Sequence, residues 1–379
     1  MALTSYGITD QIILADLVDL VIPEEAPTIN ALGGLNRGEC NNREHKWLTD
    51  DLVANRSTTA AEVGVGDVSI SVASDDAFAQ YDLVKFDGYD EIMQVTAAPA
   101  ADTLTVSRGY GSSDVLTESV PAGTAIIVVS RPKLEGSSFG SDISQDRVDG
   151  SNYTSIFRRD IEVTGTQQSV LSEGVADELA YQTDKRTREL LRELNWSVVW
   201  GRKAVGASAT RRTMGGLFEF IDTTDGNVVD ALGASISDDP DLLGNAVEEI
   251  FRDGGKPDLL LAGIKQARGL SKVNRSMMTQ TAARTDRQIG TVTESFLADI
   301  PGVGTIEVRV EPALGDRHIV VLDRTRIRVL PLRERGFFRS KVEDGTDSLK
   351  ASVIGEYTLE IRAGTKAHGV LKNLGDPTV

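Results

Sequence analysis

The feature that most constrains the fold is one long helical pattern, which runs from about residue 175 to residue 200. Apolar residues recur near one face of this pattern, and oppositely charged residues stand four positions apart near another. At about 1.5 Å per residue, some 26 residues would span roughly 39 Å, well beyond an average globular helix. A helix of this length typically braces something extended. The apolar set is Val175, Leu179, Leu190, Leu194 and Val198, and the charged pairs are Asp184/Arg188 and Lys185/Glu189.

Composition excludes several classes of protein. The 379 residues include 57 acidic and 40 basic ones, for a formal net charge of −17. Nucleic acid would repel such a chain unless its basic residues were gathered on one face. Cys40 is the only cysteine, which excludes an intrachain disulfide and a cysteine metal cluster and favours a reducing compartment.

An apolar run near the start, residues 12–22, contains two aspartates and follows no basic segment. It therefore fits neither a signal peptide nor a membrane span. We interpret it as an arm that docks on an apolar surface.

From residue 57 to 131 the composition changes to short alternating runs separated by Gly, Asp and Pro turns. About five strands at roughly ten-residue spacing predict a small all-β module, either a barrel or an immunoglobulin-like fold. The runs are 68–72, 83–86, 91–95, 103–106 and 125–129.

The rest of the chain mixes helices and strands. A strand is expected at 156–163, a helix at 239–252 with Asp239 as N-cap and Pro240 at its first position, a buried strand at 259–262 and a helix at 264–274. The last third is mostly β, at 305–310, 318–322, 326–330 and 355–362. In the last of these, Tyr357, Leu359 and Ile361 alternate with Glu356, Thr358 and Glu360. The predicted class is α+β with one inserted β module.

Two motifs approach catalytic patterns without completing them. Residues 201–208, GRKAVGAS, are one residue short of a phosphate-binding loop. They lack its lysine and follow a helix instead of a strand, so we interpret them as the flexible exit from the long helix, with Arg202 and Lys203 near its last carbonyls. Residues 136–140, GSSFG, match the nucleophile elbow of a hydrolase, with Ser138 as nucleophile and His318 or His368 as base. No helix pattern follows, so a loop is the favoured interpretation.

Neither a metal site nor a calcium loop is predicted from the isolated histidines His45, His318 and His368 or from Asp142, Asp146 and Asp149. Composition and motifs thus predict no active site and no cofactor.

Six arginines lie within sixteen residues, at 324, 326, 328, 333, 335 and 339. Arg326 and Arg328 would share one face of a strand. Because no aromatic residues are interleaved, pairing with carboxylates between subunits or domains is favoured over a stripe facing a polyanion.

The order of these segments resembles the Johnson fold of tailed-bacteriophage major capsid proteins. The likeness rests on the N-terminal arm, an extended hairpin (44–48 outward, 153–163 back), the long helix, Arg211-Arg212-Thr213-Met214-Gly215-Gly216-Leu217, and Gly355–Glu360 leading to Ala367-His368-Gly369. The inserted module, with Arg108-Gly109-Tyr110-Gly111, resembles small β domains of phage virion proteins. Ser112 stands where those modules often have Thr.

The resemblance implies a domain order. It comprises 1–56 as arm and first strand of the extended loop, 57–131 as the inserted domain projecting from the shell, and 132–165 as the return strand. The remainder comprises 166–256 as spine helix and peripheral domain, 257–325 as axial domain, and 326–379 as strands returning to the peripheral domain.

The resemblance also implies a non-enzymatic role and partners. The chain would be a structural subunit that assembles through pentamers and hexamers into an icosahedral head, in a host bacterial cytoplasm, around double-stranded DNA that it does not read. A separate scaffolding protein, a portal and a decoration protein are further implied partners, with no membrane. Intersubunit contacts are expected at Ile12, Ile13, Leu17, Trp47, Arg158, Arg159, Arg326 and Arg328. Two alternatives stay open: another virion or surface protein with an adhesive β module, and a serine hydrolase using Ser138 and His368.

Overall fold

The computed structural model divides the chain into two compact units. It describes residues 26–35, 38–50, 55–133, 135, 147–169, 177–207, 210–223, 226–239, 241–278, 295–297, 305–342 and 347–376. Unit 1 comprises Met1–Thr49 and Asp149–Val379, and unit 2 comprises Asp50–Val148. The predicted arm contacts Ile12, Ile13 and Leu17, the proposed nucleophile Ser138 and the helix-start residue Pro240 lie outside the described residues.

Six α-helices are present in the described part of the chain. They are α1 (Pro27–Ala31), α2 (Gly165–Ser169), α3 (Glu178–Trp200), α4 (Leu217–Ile221), α5 (Asp241–Arg252) and α6 (Ile264–Met278). Two 3₁₀ turns, Pro312–Leu314 and Arg324–Arg326, follow strands of unit 1. None of the helices in the described ranges is long and apolar enough to cross a membrane.

The strands of the described ranges are β1 (Glu44–Thr49), β2 (Arg56–Thr58), β3 (Ser69–Ser71), β4 (Leu83–Phe86), β5 (Ile92–Val95), β6 (Thr103–Ser107), β7 (Ala125–Ser130), β8 (Val148–Tyr153), β9 (Ser155–Thr164), β10 (Asn227–Asp230), β11 (Leu259–Ala262), β12 (Ser295–Leu297), β13 (Thr305–Val310), β14 (Ile319–Leu322), β15 (Ile327–Pro331), β16 (Phe338–Val342), β17 (Ser348–Ile361) and β18 (Gly369–Lys372).

The long helix is confirmed as α3. Asp177 caps its start, because its side chain accepts hydrogen bonds from the N–H groups of Leu179 (3.0 Å) and Ala180 (3.1 Å). The predicted pair Asp184/Arg188 forms at 3.0 Å, whereas Glu189 pairs with Arg186 at 2.7 Å. The buried face holds Leu190, Leu194, Asn195, Val198 and Val199.

A six-stranded mixed sheet, in the order β10-β18-β14-β11-β13-β12, separates two apolar cores of unit 1. Alternate residues of β11 enter opposite cores, with Leu259 and Leu261 on one side and Leu260 and Ala262 on the other. A strand buried on both faces reads as a continuous apolar run, which is why this segment was predictable. The sheet draws strands from 227 to 372, so the predicted boundaries at 256/257 and 325/326 cut through one hydrogen-bonded layer.

A second sheet of unit 1 is built on the 14-residue strand β17, which pairs with β9, β15 and β16. The predicted hairpin is wrong in one respect. Strand β1 pairs with β8, and the segment expected to return along it, β9, pairs instead with β17 from Ser155↔Tyr357 to Thr164↔Ser348. The ten-residue ladder with β17 satisfies the backbone of β9, so only 148–153 remains for β1.

Unit 2 is an all-antiparallel sheet in the order β2-β7-β4-β5-β6-β3. Its two edge strands meet, because Ala60 N–H donates to Ser71 O (2.9 Å) and Ala73 N–H donates to Thr58 O (2.8 Å). The sheet therefore closes into a small barrel around its own apolar core, which includes Ile70, Phe86, Met93 and Leu104. The barrel strands run from Arg56 to Ser130, and the compact unit that contains them runs from Asp50 to Val148, where the module was predicted at 57–131.

Candidate intersubunit surfaces and their anchors

The ribbon formed by β1 and β8 is held to α4 in unit 1 by a buried indole. Trp47 is only 7% exposed, and its ring lies 5.8 Å from that of Phe220 in an edge-on arrangement. A β-carbon at Gly150 would overlap the indole, so glycine is required there. The predicted contact Trp47 is thus buried in its own chain, and the exposed apolar residue of the ribbon is its neighbour Leu48, at 57%. An intersubunit role for the ribbon stays a prediction.

Polar side chains tie the same ribbon to β17. Nε2 of His45 lies 2.8 Å from a carboxylate oxygen of Glu360, and Arg362 donates to the other oxygen. The hydrogen bond from His45, followed by that from Arg362, holds the pKa of Glu360 below its usual value, although burial opposes this. Asn152 on β8 donates to the carbonyls of Leu359 (2.8 Å) and Gly215 (3.0 Å).

A second carboxylate of β17, Glu356, is buried in a network of its own. Oε1 accepts hydrogen bonds from Thr154 Oγ1 and from Arg212, while Arg335 Nε lies 3.0 Å from Oε2. The polar residues that alternate with Tyr357, Leu359 and Ile361 along this strand are buried as well; they are Glu356, Thr358 and Glu360. These polar groups are tolerated inside because each has hydrogen-bond partners from segments remote in sequence.

Residues 201–207 and 210–216 are joined by backbone hydrogen bonds, so they do not form the flexible exit that was predicted. Ala204 and Thr213 exchange two backbone hydrogen bonds, and Gly216 N–H donates to Gly201 O at 2.9 Å. Gly201 ends α3 where a β-carbon would overlap Ser197 O. Arg202 and Lys203 do not reach the last carbonyls of the helix: Arg202 pairs with Glu219 (2.9 Å), and Lys203 donates to Ser151 (2.7 Å).

The Met-Gly-Gly turn, residues 214–216, joins this loop to the ribbon. Met214 N–H donates to Ser155 Oγ and Gly215 N–H donates to Asn152 Oδ1, each at 2.8 Å. Met214 is buried in the main core of unit 1. The motif therefore works as a structural junction between the end of α3, the ribbon and β9.

The four arginines predicted as contacts lie in different settings. Arg158 and Arg159 point to opposite faces of β9. Arg159 pairs with Glu193 of α3 at 2.7 Å, whereas Arg158 contacts Asp160 and Ser352. Arg326 ends a 3₁₀ turn and pairs with Asp323 at 3.2 Å, so it does not share a strand face with Arg328 on β15, as was predicted. Within the chain, Arg324 and Arg335 also pair with carboxylates.

A row of three apolar residues and one arginine crosses one face of the β17 sheet. The register places Arg158 opposite Ile354 and Ile354 opposite Phe338, so these side chains share one face with Ile156. Ile156 is 57% exposed and Phe338 39%. We call Ile156, Arg158, Phe338 and Ile354 the sheet-face row. An intersubunit role for this row and for Leu48 stays a prediction.

The two histidines considered as catalytic bases, His318 and His368, are held by contacts within the chain, and Ser138 lies outside the described residues. His368 is fully buried, its Nδ1 accepts from Asp323 N–H (3.2 Å) and its Nε2 faces Arg362 O (3.3 Å), so neither nitrogen can act as a base on a substrate. Burial lowers its pKa to about 4. His318 packs edge-on against the rings of Trp200 and Phe218, which stack on each other at 4.1 Å. No group of metal-binding side chains occurs within the described ranges.

Charge is distributed unevenly between the units. Residues 50–148 contain 16 acidic and 6 basic side chains, a net charge of −10 out of −17 for the chain. The acidity noted in the sequence is therefore concentrated in unit 2.

Sequence reasoning missed the buried polar residues that anchor these elements, namely Asn152, Asn195 and Glu311. One signal was present: Asn195 stands inside the apolar stripe of α3, between Leu194 and Val198. A polar residue in such a stripe indicates a partner across the core.

Solved structures similar to this chain include proteins of several phages, at low identity. A chain from Microbacterium phage Oxtober96 is 10% identical, with 94% of each chain covered and a TM-score of 0.49. The capsid of Myoviridae phage XM1 is 10% identical, with 94% of this chain and 95% of that chain covered and a TM-score of 0.46. An encapsulin complex, SrpI from Synechococcus elongatus, is 13% identical over 62% of this chain and 79% of that one, with a TM-score of 0.44. No curated protein matches the chain.

Family membership follows from a different comparison. Residues 4–375 match the family described as SU10 major capsid protein. This match takes in both units, and it agrees with the Johnson-type arrangement of long helix, ribbon and β17 sheet described above. The chain therefore belongs to the SU10 major capsid protein family, and it is a structural subunit of a tailed-phage capsid, not an enzyme.

Proposed function

We propose that this subunit assembles through pentamers and hexamers into the icosahedral head of a tailed phage, around a double-stranded DNA genome that it encloses without reading its sequence. The observation that carries the proposal is the family match over residues 4–375. Closed shells of identical subunits need surfaces that are repeated by symmetry. Leu48 and the sheet-face row are such surfaces here.

The segment before α1 supplies the second part of the proposal. Residues 12–22 are apolar except for two aspartates, and Ala26, Ile29 and Leu32, which follow, are buried in the core of unit 1. We propose that the arm lies across a neighbouring subunit through Ile12, Ile13 and Leu17, and that the ribbon contacts another neighbour through Leu48 beside Trp47.

Unit 2 is proposed to lie on the outer side of the shell. A net charge of −10 in about a quarter of the chain would repel packaged DNA, which favours a position away from the genome. Assembly in the bacterial cytoplasm, a separate scaffolding chain, a portal and a decoration protein complete the proposal.

The test is to express the full chain and image it by negative-stain electron microscopy, beside a variant lacking residues 1–25. We expect closed particles or rings from the full chain and neither from the deletion, because the arm would no longer bridge subunits. A folded full chain that stays monomeric at high concentration would favour the alternative of an adhesive surface protein. Normal particles from the deletion would contradict the role of the arm.

The ribbon contact is tested by Leu48→Asp, with Leu48→Met as the matched control. Because Leu48 is exposed, neither change should alter the free energy of unfolding of the dissociated subunit by more than about 0.5 kcal/mol. Particle yield should fall only for the aspartate variant, which places a charge in an apolar contact. Equal yields from both variants would remove Leu48 from the interface.

A further inference from the structure

The carboxylate of Glu311 joins three segments of unit 1. It is 1% exposed and stands between β13 and the 3₁₀ turn Pro312–Leu314. Thr28 donates to Oε2 through its N–H (3.0 Å) and through its hydroxyl. Asn195 Nδ2 lies 3.0 Å from Oε1 and 2.9 Å from Oε2, and Ala313 N–H donates to Oε1 at 2.9 Å.

Every one of these donors, among the residues that the structure describes, is uncharged. A carboxylate removed from water without a cation is costly unless several hydrogen bonds replace its hydration. The hydrogen bonds of this cluster are therefore cooperative. When one donor is lost, the remaining hydrogen bonds must stabilise the buried carboxylate alone.

The same cluster holds the segment from which the N-terminal arm departs. Thr28 lies in α1, a five-residue helix that is too short to be stable by itself. Asn195 ties it a second time, because Asn195 Oδ1 accepts from Ile29 N–H at 3.3 Å. Ala26, Ile29 and Leu32 then pack into the core beside α3.

We propose that Glu311, with Thr28 and Asn195, is a latch that fixes the point and direction in which the N-terminal arm leaves each subunit. The inference rests on the proposed function, since it concerns how the arm reaches a neighbour. With the latch closed, α1 is held against α3 and every copy presents its arm in the same way, as a symmetric shell requires. With the latch open, the subunit keeps its sheets and cores, but α1 is released and the arm has no fixed origin.

The structure offers a matched control in Asp323. Like Glu311, it is a buried carboxylate that follows a strand of the six-stranded sheet and caps a 3₁₀ turn, with Oδ1 accepting from Thr325 N–H at 3.0 Å. Its partners lie away from α1 and α3. Glu311→Gln and Asp323→Asn each replace a buried carboxylate by an amide, the second one also losing an ion pair with Arg326, and only the first alters the contacts of α1.

The experiment is hydrogen exchange with mass spectrometry on the full-length chain, together with particle yield. In Glu311→Gln, an NH2 group takes the place of one carboxylate oxygen and cannot accept a hydrogen bond from the donors that face it. Hydrogen exchange in residues 26–32 should therefore be about 10- to 100-fold faster, and fewer closed particles should form. Asp323→Asn should lose a similar amount of thermal stability with residues 26–32 protected as in the wild type. Unchanged protection of 26–32 in a folded Glu311→Gln variant would overturn the latch, and so would equal deprotection in both variants.

A milder pair decides the question if Glu311→Gln does not fold. Thr28→Val removes the hydroxyl donor with little change in shape, and Thr358→Val removes an equally buried hydroxyl that donates to Tyr153 O. Only Thr28→Val should speed exchange in 26–32, by about 5- to 10-fold. No change there would count against the latch. If the wild type forms no particles at all, the proposed function fails, while the exchange data still judge the latch.

Discussion

Two buried carboxylates, Glu91 in unit 2 and Glu311 in unit 1, are stabilised by different kinds of donor. Arg108 pairs with Glu91, with Nε at 2.8 Å, and the N–H groups of Gly109 and Leu116 add two hydrogen bonds. Burial raises the pKa of Glu91, but the donors from Arg108 and the backbone outweigh it and leave the pKa below its usual value. Glu311 has neutral donors only, among the described residues.

The sequence distances of the partners explain the difference between the units. The partners of Glu91 are 17 to 25 positions away, within unit 2. Those of Glu311 include residues 116 and 283 positions away. In unit 2 the buried carboxylate is thus stabilised by residues close to it in sequence. In unit 1 the buried polar groups join segments that are far apart in sequence. We expect unit 2 to fold by itself and unit 1 to depend on its long-range junctions.

The largest effect is expected from Arg108→Ala. It leaves Glu91 buried without its cation, which should cost about 3–5 kcal/mol and unfold unit 2 at lower temperature while unit 1 keeps its transition. The measurement is calorimetry of the full chain, in which the unfolding transitions of the two units should be resolved from each other. Arg147→Ala is the control, because its pair with Asp50 is exposed and should contribute less than about 1 kcal/mol. A single shifted transition would break the comparison.

The next effect is a loss of stability in acid that belongs to unit 1. His368 is neutral and buried with a pKa of about 4, against an ordinary value of 6.5. The unfolded chain takes up a proton that the folded chain refuses, so this stability is complete above about pH 6.5 and is lost as the pH falls towards 4. The loss should reach about 3 kcal/mol. His318, whose pKa is also lowered by burial, acts in the same direction.

Urea unfolding of unit 1 between pH 7 and pH 4 measures this effect. His368→Gln should flatten the dependence by removing the titrating group. A variant with the same pH slope as the wild type would contradict the assignment.

A smaller effect is expected at the ribbon. Gly150→Ala forces a methyl group into the Trp47 indole and should destabilise unit 1 by about 1–3 kcal/mol, with a blue or red shift of tryptophan fluorescence as the ring moves. The control is Gly244→Ala in α5, where a β-carbon would meet nothing within 4 Å. That change should stabilise the chain by about 0.5–1 kcal/mol. Equal effects at the two glycines would show that Trp47 does not anchor the ribbon.

The smallest effect should follow the removal of unit 2. Thr154 N–H donates to Arg43 O, and Gly150 lies against Trp47. Strands β1 and β8 are therefore antiparallel, and Thr49 at the end of β1 lies near Val148 at the start of β8. Replacing residues 51–147 by Asn-Gly should close this hairpin. Unit 1 should lose no more than about 1 kcal/mol, or roughly 2–4 °C in its thermal midpoint. An unfolded product would show that the two units are interdependent.

Much of the local structure could be predicted, and much of the candidate site could not. The strands of unit 2 were predictable because period-two alternation and Gly, Asp and Pro turns are local signals. The pairing of β9 with β17, across almost 200 residues, left no such signal, so β9 was assigned to the wrong partner. Glu311 and Asn152 were missed for the same reason, since a lone polar residue does not reveal which distant donor it meets.

The amino-acid sequence by itself determined α3, the strands of unit 2 and the likeness to phage capsid proteins, because helical period, alternation and segment order are all written along the chain. Only the tertiary structure decided which polar residues are buried. Glu356, Thr358 and Glu360 alternate as a solvent-facing side would. They lie inside because Arg212, Tyr153 and His45, brought from other parts of the chain, supply the hydrogen bonds that water would otherwise make.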